Sequence, residues 1–237
     1  MALINKFPYA AMEKVEVDGK RRYLTPDGNK VPSVTTILDA TKSEESKQAL
    51  QNWRNNIGHK RAAEITSEAA NRGTRMHKWI ENYIKDDDPG SPGSNPYSQQ
   101  SHLMATQIIE HGLVNCNEYW GTEVALYFPE VYAGTTDLCG IHAGAEAIMD
   151  HKQSNKVKKR EWIDDYFVQT AAYGTAHDEV YNTKIRKGVI FMCVKPELVN
   201  NTWTKPQYIE FVIEGNEYDK YQDMWYKRLE QYYSKFV

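Results

Sequence analysis

The sequence predicts a single α/β domain, and three observations carry that expectation. Gly134 to Tyr173, GTTDLCGIHAGAEAIMDHKQSNKVKKREWIDDYFVQTAAY, reads as two strands followed by a helix. Beyond it, GVIFMCVK is an apolar run of strand length between Lys187 and Pro196, as a strand buried in the middle of a sheet should be. A chain of 237 residues can bury one substantial core, so one embellished domain is expected rather than two independent ones.

Taken in order, KVEVDGKRRYLT reads as a hairpin around Asp18-Gly19, and Pro26-Asp27-Gly28-Asn29 marks a second turn. Pro32-Ser33 opens VTTILDA, the start of the helical region. From Ser43 to Ile84 the pattern is mostly helical, with breaks near Gly58 and Gly73 and with Trp53, Ile57, Ala62 and Ile65 as inward candidates. These helices are expected to arch over the rest. Arg54, Lys60, Arg61, Arg72 and Arg75 along them suit either a channel for a nucleic-acid strand or ordinary helix solvation. Asp86 to Gln100, DDDPGSPGSNPYSQQ, is rich in Pro, Gly and Ser and predicts a mobile loop.

Residues Ser101 to Gly112 resume a helix, and Asn117 to Tyr127 reads as the first central strand, carrying Glu123. QYIEFVIE, from Gln207, alternates as an edge strand does. The last stretch, EYDKYQDMWYKRLEQYYSKF, is an amphipathic helix with Tyr221, Met224, Trp225 and Leu229 toward the core. The domain thus divides into residues 1–100, holding the hairpin, helical arch and mobile loop, and residues 101–237, holding the core and C-terminal helix.

Formal net charge is −3, so any affinity for nucleic acid must come from a local groove and not from a globally basic surface. Cys116, Cys139 and Cys193 are widely spaced and form no C-x-x-C pair, which predicts reduced thiols, no structural zinc and no disulfide framework. No apolar run reaches membrane-spanning length, and no membrane partner is expected. The start, MALINKFPYAAMEKVEVDGK, lacks the apolar core of a signal peptide, and Glu13, Glu16 and Asp18 are unlike a mitochondrial transit peptide. A cytoplasmic protein, of a bacterium or an infected cell, is expected.

Chemistry concentrates in the central stretch. AIMDHK sets Asp150 and Lys152 two residues apart, on one face of a strand. The turn near His142 to Gly144 folds the preceding strand back, so that Asp137 comes beside Asp150. Converging carboxylates repel unless a cation separates them. Hard oxygen ligands suit Mg²⁺ or Mn²⁺, one ion or two, which can activate water and neutralise a phosphate. On the following helix Gln169 and Tyr173 extend a stripe with Trp162 and Tyr166 that reads as core packing, although a buried amide needs partners. Upstream, NRGTRMHKWIENY places His77 and Glu81 on one helical face after Gly73, with a cap at Thr74. Spacing alone leaves that pair as either ligands or an exposed pair. Lys156, Lys158, Lys159 and Arg160 form a basic loop, fit for a phosphate backbone or for solvent.

Gly-x-x-Asp at Asp137, Asp-x-Lys at Asp150, Gln-x-x-x-Tyr at Gln169, and the upstream Arg-Gly-Thr-x-x-His-x-x-x-Glu together resemble the RecB-like branch of the PD-(D/E)XK nuclease superfamily. Within it, GNKVPSVTTIL and the segment around Leu50 and Trp53 are similar to the mitochondrial genome maintenance exonucleases and their phage relatives. The resemblance covers roughly Tyr23 to Val194. Thr136 stands where the superfamily name has Pro, and Gln153 where many relatives carry a small residue.

The resemblance implies a restriction-endonuclease-like core, a central mixed β-sheet flanked by helices. It implies Asp137 and Asp150 as metal ligands, with the backbone carbonyl of His151 and with His77, and Lys152 as the group that orients water or stabilises charge on the scissile phosphate. Gln169 and Tyr173 would stand behind Lys152. Glu81 and Glu123 would support the site, Glu123 equally as a cross-strand partner for a basic residue. Arg72, Arg75 and the basic loop would hold DNA. Some RecB-like nucleases carry an iron–sulfur cluster on four cysteines, which three scattered ones cannot supply, so no cluster is expected. The implied activity is a metal-dependent DNA exonuclease acting at single-stranded ends in replication, recombination or repair, with a helicase or single-strand-binding protein as candidate partners. A structure-specific or restriction-like endonuclease and an inert DNA-binding module are the alternatives.

Overall fold

The structure, a computed structural model, describes residues 3–17, 19–88 and 90–236. Strands β1 (Glu13–Val17), β2 (Lys20–Leu24) and β3 (Lys30–Pro32) pair antiparallel as a small sheet. The hairpin is therefore present, although Asp18 of its expected turn lies outside the described residues. Ser33 accepts a hydrogen bond from the Thr36 amide and so starts α1 (Val34–Ala40), which buries Val34, Ile37 and Leu38.

Helix α2 (Glu44–Ile57) starts at Ser43 in the same way and buries none of its side chains. Gly58, at φ +85°, turns the chain into α3 (His59–Lys85). That break was expected at Gly58, but the one expected at Gly73 does not occur, and Thr74 caps nothing. Its hydroxyl donates to the Ala70 carbonyl inside the continuous helix. A Cβ at Gly73 would sit 3.5 Å from the Gln153 side chain, an ordinary van der Waals contact, so the helix runs through this position without strain. Of the four inward candidates Ala62 is buried, whereas Trp53 and Ile65 are half-buried and Ile57 is exposed.

The expected loop is also shorter than Asp86 to Gln100, because α4 (Pro96–His111) begins inside it. Asn95 accepts from the Tyr97 amide and Pro96 takes the first helical position, where its missing N–H costs nothing. Read as a breaker, this proline is a helix starter.

The central sheet holds β4 (Cys116–Phe128), β5 (Tyr132–His142), β6 (Ala145–Ser154), β7 (Lys187–Val194) and β10 (Gln207–Glu214), in the order β10-β7-β6-β5-β4. The short β8 (Leu198–Val199) and β9 (Thr202–Trp203) form a separate hairpin. Only β6 and β7 are parallel, and α5 (Asp164–Tyr181) makes the crossover between them, so the sheet is mixed.

Alternation along each strand sends side chains to two cores. Ile148, Ile190 and Met192 face a core shared with α1, α5 and α6 (Asn216–Phe236), whereas Ala147, Met149, Val189, Phe191 and Cys193 face α3 and α4. The result is a sheet flanked by helices on both faces. From α6, Tyr218, Tyr221, Trp225 and Tyr232 are buried and Met224 and Leu229 pack against them. Trp162 departs from its expected place: it lies in a single 3₁₀ turn ahead of α5 and is 63% exposed, so it is not part of a core stripe. Among the described residues no helix is long and apolar enough to cross a membrane, and all three cysteines are free and buried.

Candidate active site

The β5–β6 register pairs Leu138 with Met149, so the next step along each strand sets Asp137 opposite Asp150. Both are buried. The His151 amide donates to Asp137 Oδ2 over 2.6 Å, and the Thr122 hydroxyl donates to the Asp137 carbonyl over 3.0 Å. Lys152 Nζ lies 2.6 Å from Asp150 Oδ2 and donates to Gln169 Oε1 over 3.3 Å. Gln169 Nε2 in turn donates to the Tyr173 hydroxyl over 3.3 Å. The ammonium is thus held between a strand carboxylate and a helix amide, which meets the demand for partners that a Gln on this helix raised. Gly134 makes room for the end of that chain, because a Cβ there would fall 2.7 Å from the Tyr173 ring.

His77 reaches the same point from α3. Its Nε2 lies 2.8 Å from the His151 carbonyl oxygen, an atom that only accepts, so Nε2 carries a proton. Its Nδ1 faces Asp137 Oδ1 at 3.4 Å and Glu123 Oε1 at 3.6 Å. The His151 carbonyl, implied as a metal ligand, is here the acceptor for His77.

Glu123 arrives by an unusual route. Thr122 pairs with Leu138 and Val124 with Thr136, leaving Glu123 opposite Asp137, and its backbone takes φ +51°. A non-glycine residue in the left-handed region inside a strand is strained, and such strain concentrates where a side chain must be aimed. Ligand atoms of His77, Glu123 and Asp137 all lie within 4.8 Å of one another.

Burial would raise the Asp137 carboxyl, but the charge and hydrogen bond of His77 outweigh it and hold this acid well below the usual carboxylate range. Asp150 goes the other way: burial pushes it up to about 6 despite the ammonium of Lys152, and the charge on Asp137 adds to the rise. For His77, burial opposes protonation, yet Asp137 and Glu123 raise its pKa well above 6.5. Burial would likewise lower Lys152, but Asp150 and Asp137 raise it. The neighbouring carboxylates favour the protonated form of His77, and burial favours that of Asp150. A centre of this composition demands positive charge, and its oxygen-rich donor set with one imidazole fits a hard divalent ion.

The remaining candidates scatter. Glu81 borders the same cavity as His77 and Glu123 but is paired with Lys78 at 3.1 Å and Lys85 at 2.5 Å. Arg75 turns toward α4, its Nε 3.4 Å from the Ser101 hydroxyl. Arg72, expected to hold DNA, is instead buried, and burial lowers its pKa. Its guanidinium donates twice to Gln153 Oε1, over 3.0 and 2.7 Å, and once to Asn155 Oδ1, tying α3 to the end of β6. Gln153 is accordingly turned to Arg72.

In the basic loop, Arg160 bonds the Val212 carbonyl and Glu217, both by Nη2. Lys159 stands 3.8 Å from Glu161. Lys158 donates to the Tyr166 hydroxyl over 3.2 Å, and Lys156 borders a cleft beside it.

No family model matches the chain. Among curated proteins it is 28% identical over 217 residues to mitochondrial genome maintenance exonuclease 1 of Mus musculus, covering 87% of this chain and 60% of that protein. The Xenopus tropicalis protein of the same name is 26% identical over 239 residues, covering 94% of this chain and 65% of that one. The Homo sapiens protein is 25% identical over 220 residues, covering 87% and 59%. The chain therefore spans about three-fifths of the length of these relatives. Among solved structures, a putative exonuclease from Eubacterium rectale superposes with a TM-score of 0.47 at 14% identity, over 71% of this chain and 65% of that one.

Proposed function

We propose, for a chain that is a relative of mitochondrial genome maintenance exonuclease 1, that it is a metal-dependent deoxyribonuclease with a PD-(D/E)XK core, cleaving phosphodiester bonds from single-stranded DNA ends. The observation that carries this reading is the convergence of Asp137, Asp150 and Lys152 from adjacent strands, with His77 and Glu123 closing on the same point.

Asp137, Glu123 and His77 would hold a Mg²⁺ or Mn²⁺ ion, with Asp150 completing the donor set or holding a second ion. When bound, such an ion supplies positive charge for the phosphate oxygens and makes water more acidic. Asp137 is fixed for its task by the His151 amide, and His77 by the His151 carbonyl, an outer partner that sets ring orientation. Lys152 stands beside Asp150 with its side chain 20% exposed, so it would donate to a phosphate oxygen or hold the attacking water. Gln169 and Tyr173 keep that ammonium in place. Such a nuclease serves DNA replication, recombination or repair.

The test is cleavage of end-labelled linear and circular single-stranded DNA by the native chain in Mg²⁺, Mn²⁺ or EDTA. Metal-dependent loss of the linear substrate alone is expected. Cutting of the circle would replace the exonuclease by an endonuclease, and binding without cleavage of any DNA would overturn the enzyme reading.

A further inference from the structure

Beside the candidate site lies a cleft of about 550 Å³, bordered by Trp53 and Ile57 of α2, Ile65 of α3, the segment from Gln153 to Lys158, and Trp162 and Tyr166. Three side chains on it are large, apolar and exposed: Ile57 at 36%, Val157 at 51% and Trp162 at 63%. Lone exposed apolar residues need no explanation, but a cluster around one depression does. Lys156 and Lys158 stand on the border, and no carboxylate is among the bordering residues. Lys159 also lies over the Trp162 ring, 5.4 Å from its centroid. The matching ligand offers flat apolar faces and negative charge together. An unpaired nucleotide does so; a paired base hides its faces in the stack.

One ring links the cleft to the candidate catalytic lysine. Tyr166 borders the cleft, and the same ring has Lys152 Nζ 4.9 Å and Lys158 Nζ 5.3 Å from its centroid. The inner wall is fixed, since Arg72 holds both Gln153 and Asn155.

We infer that this cleft is a nucleobase-stacking subsite, in which Trp53, Trp162 and Tyr166 take an unpaired base of the nucleotide next to the scissile phosphate while Lys156 and Lys158 hold its backbone. The inference rests on the nuclease reading and adds to it that the enzyme must grip a base, not only a sugar-phosphate chain. A strand lacking the base at that position is therefore held poorly and stalls cleavage.

The experiment measures anisotropy of labelled oligothymidylate and of an abasic oligonucleotide of equal length, in EDTA, with the native chain, Trp162→Ala and Trp162→Phe, followed by cleavage in Mg²⁺ of a strand carrying one abasic site. Trp162 is exposed enough that its replacement leaves the fold intact, which a melting curve checks. Expected are native affinity about tenfold weaker for the abasic strand, a similar loss for Trp162→Ala on oligothymidylate, and recovery in Trp162→Phe. A pause in cleavage is expected at the abasic position.

Equal native affinity for both strands, with cleavage running through the abasic site, would overturn the subsite and leave the nuclease intact. Unchanged oligothymidylate binding by Trp162→Ala would do the same and assign the patch to a protein partner. A native chain that neither binds nor cuts any DNA would overturn the nuclease reading itself, and this inference with it.

Discussion

His77 Nε2 donates to the main-chain carbonyl of His151 across 2.8 Å, tying helix α3 to the strand that carries Asp150 and Lys152. The bond fixes which nitrogen bears the proton and leaves Nδ1 turned toward Asp137 and Glu123. His77→Ala should lower Mg²⁺-dependent cleavage by about 100-fold or more, since it removes both a ligand and its orientation. It should also leave the carboxylates facing one another without a cation. Having lost a ligand, the variant should bind Mg²⁺ more weakly, so added Mg²⁺ should raise its melting temperature less than that of the native chain, as a metal titration of both melting and cleavage would show.

Lys152 is held by Asp150 on one side and Gln169 on the other. Lys152→Ala should reduce kcat by about 10² to 10³ with little change in DNA affinity. Gln169→Ala acts through the lysine, so it should lower kcat by about tenfold while KM stays near native. Single-turnover kinetics with separately measured binding would check both; an equal loss of affinity in either variant would place these residues on the DNA and not on the chemistry.

Arg72 is a buried cation whose side-chain acceptors are the neutral amides of Gln153 and Asn155. Arg72→Met leaves both acceptors without their donor and should cost about 2–3 kcal/mol of stability. Arg72→Lys cannot restore the fork and should recover only part of it. Denaturant midpoints of the three chains measure the loss.

The ring of His177 is fully buried between the Tyr9 hydroxyl at 3.0 Å and the Thr183 hydroxyl at 2.8 Å. Burial, joined by the charge of Lys6, lowers its pKa from 6.5 to about 4. Between those values the unfolded chain binds a proton that the folded chain refuses, so stability is fully present above the upper value and falls as pH drops through the window. A shift of that size corresponds to about 3 kcal/mol. His177→Gln should be less stable at neutral pH but should lose less between pH values near neutrality and those near the folded pKa, and melting temperatures of both chains across the range test it.

The central chemistry was legible because it rests on local rules. Alternation along a strand puts Asp150 and Lys152 on one face, and a hairpin brings Asp137 back to them. The strand built from GVIFMCVK and the C-terminal helix announced themselves by burial pattern and periodicity. Most of what failed depended on distant partners. Gly73 reads as a break, yet α3 runs through it and packs there against Gln153, remote in sequence. Pro96 reads as loop until Asn95 caps the helix it begins. Arg72 looks like any surface arginine until two amides from the end of β6 enclose it. Glu123 reads equally as support or as a cross-strand partner, because nothing in its neighbours signals a left-handed residue inside a strand.

The claim that Asp137 stands at the centre of a metal-dependent nuclease is tested most directly by comparing native chain and Asp137→Asn on 5′-labelled linear single-stranded DNA, in Mg²⁺ and in EDTA, with binding measured alongside. The native chain should degrade the strand only with Mg²⁺. Asp137→Asn should bind it at least as well, having lost a negative charge, and should leave it whole. Cleavage by Asp137→Asn at the native rate, or by the native chain in EDTA, would contradict the account.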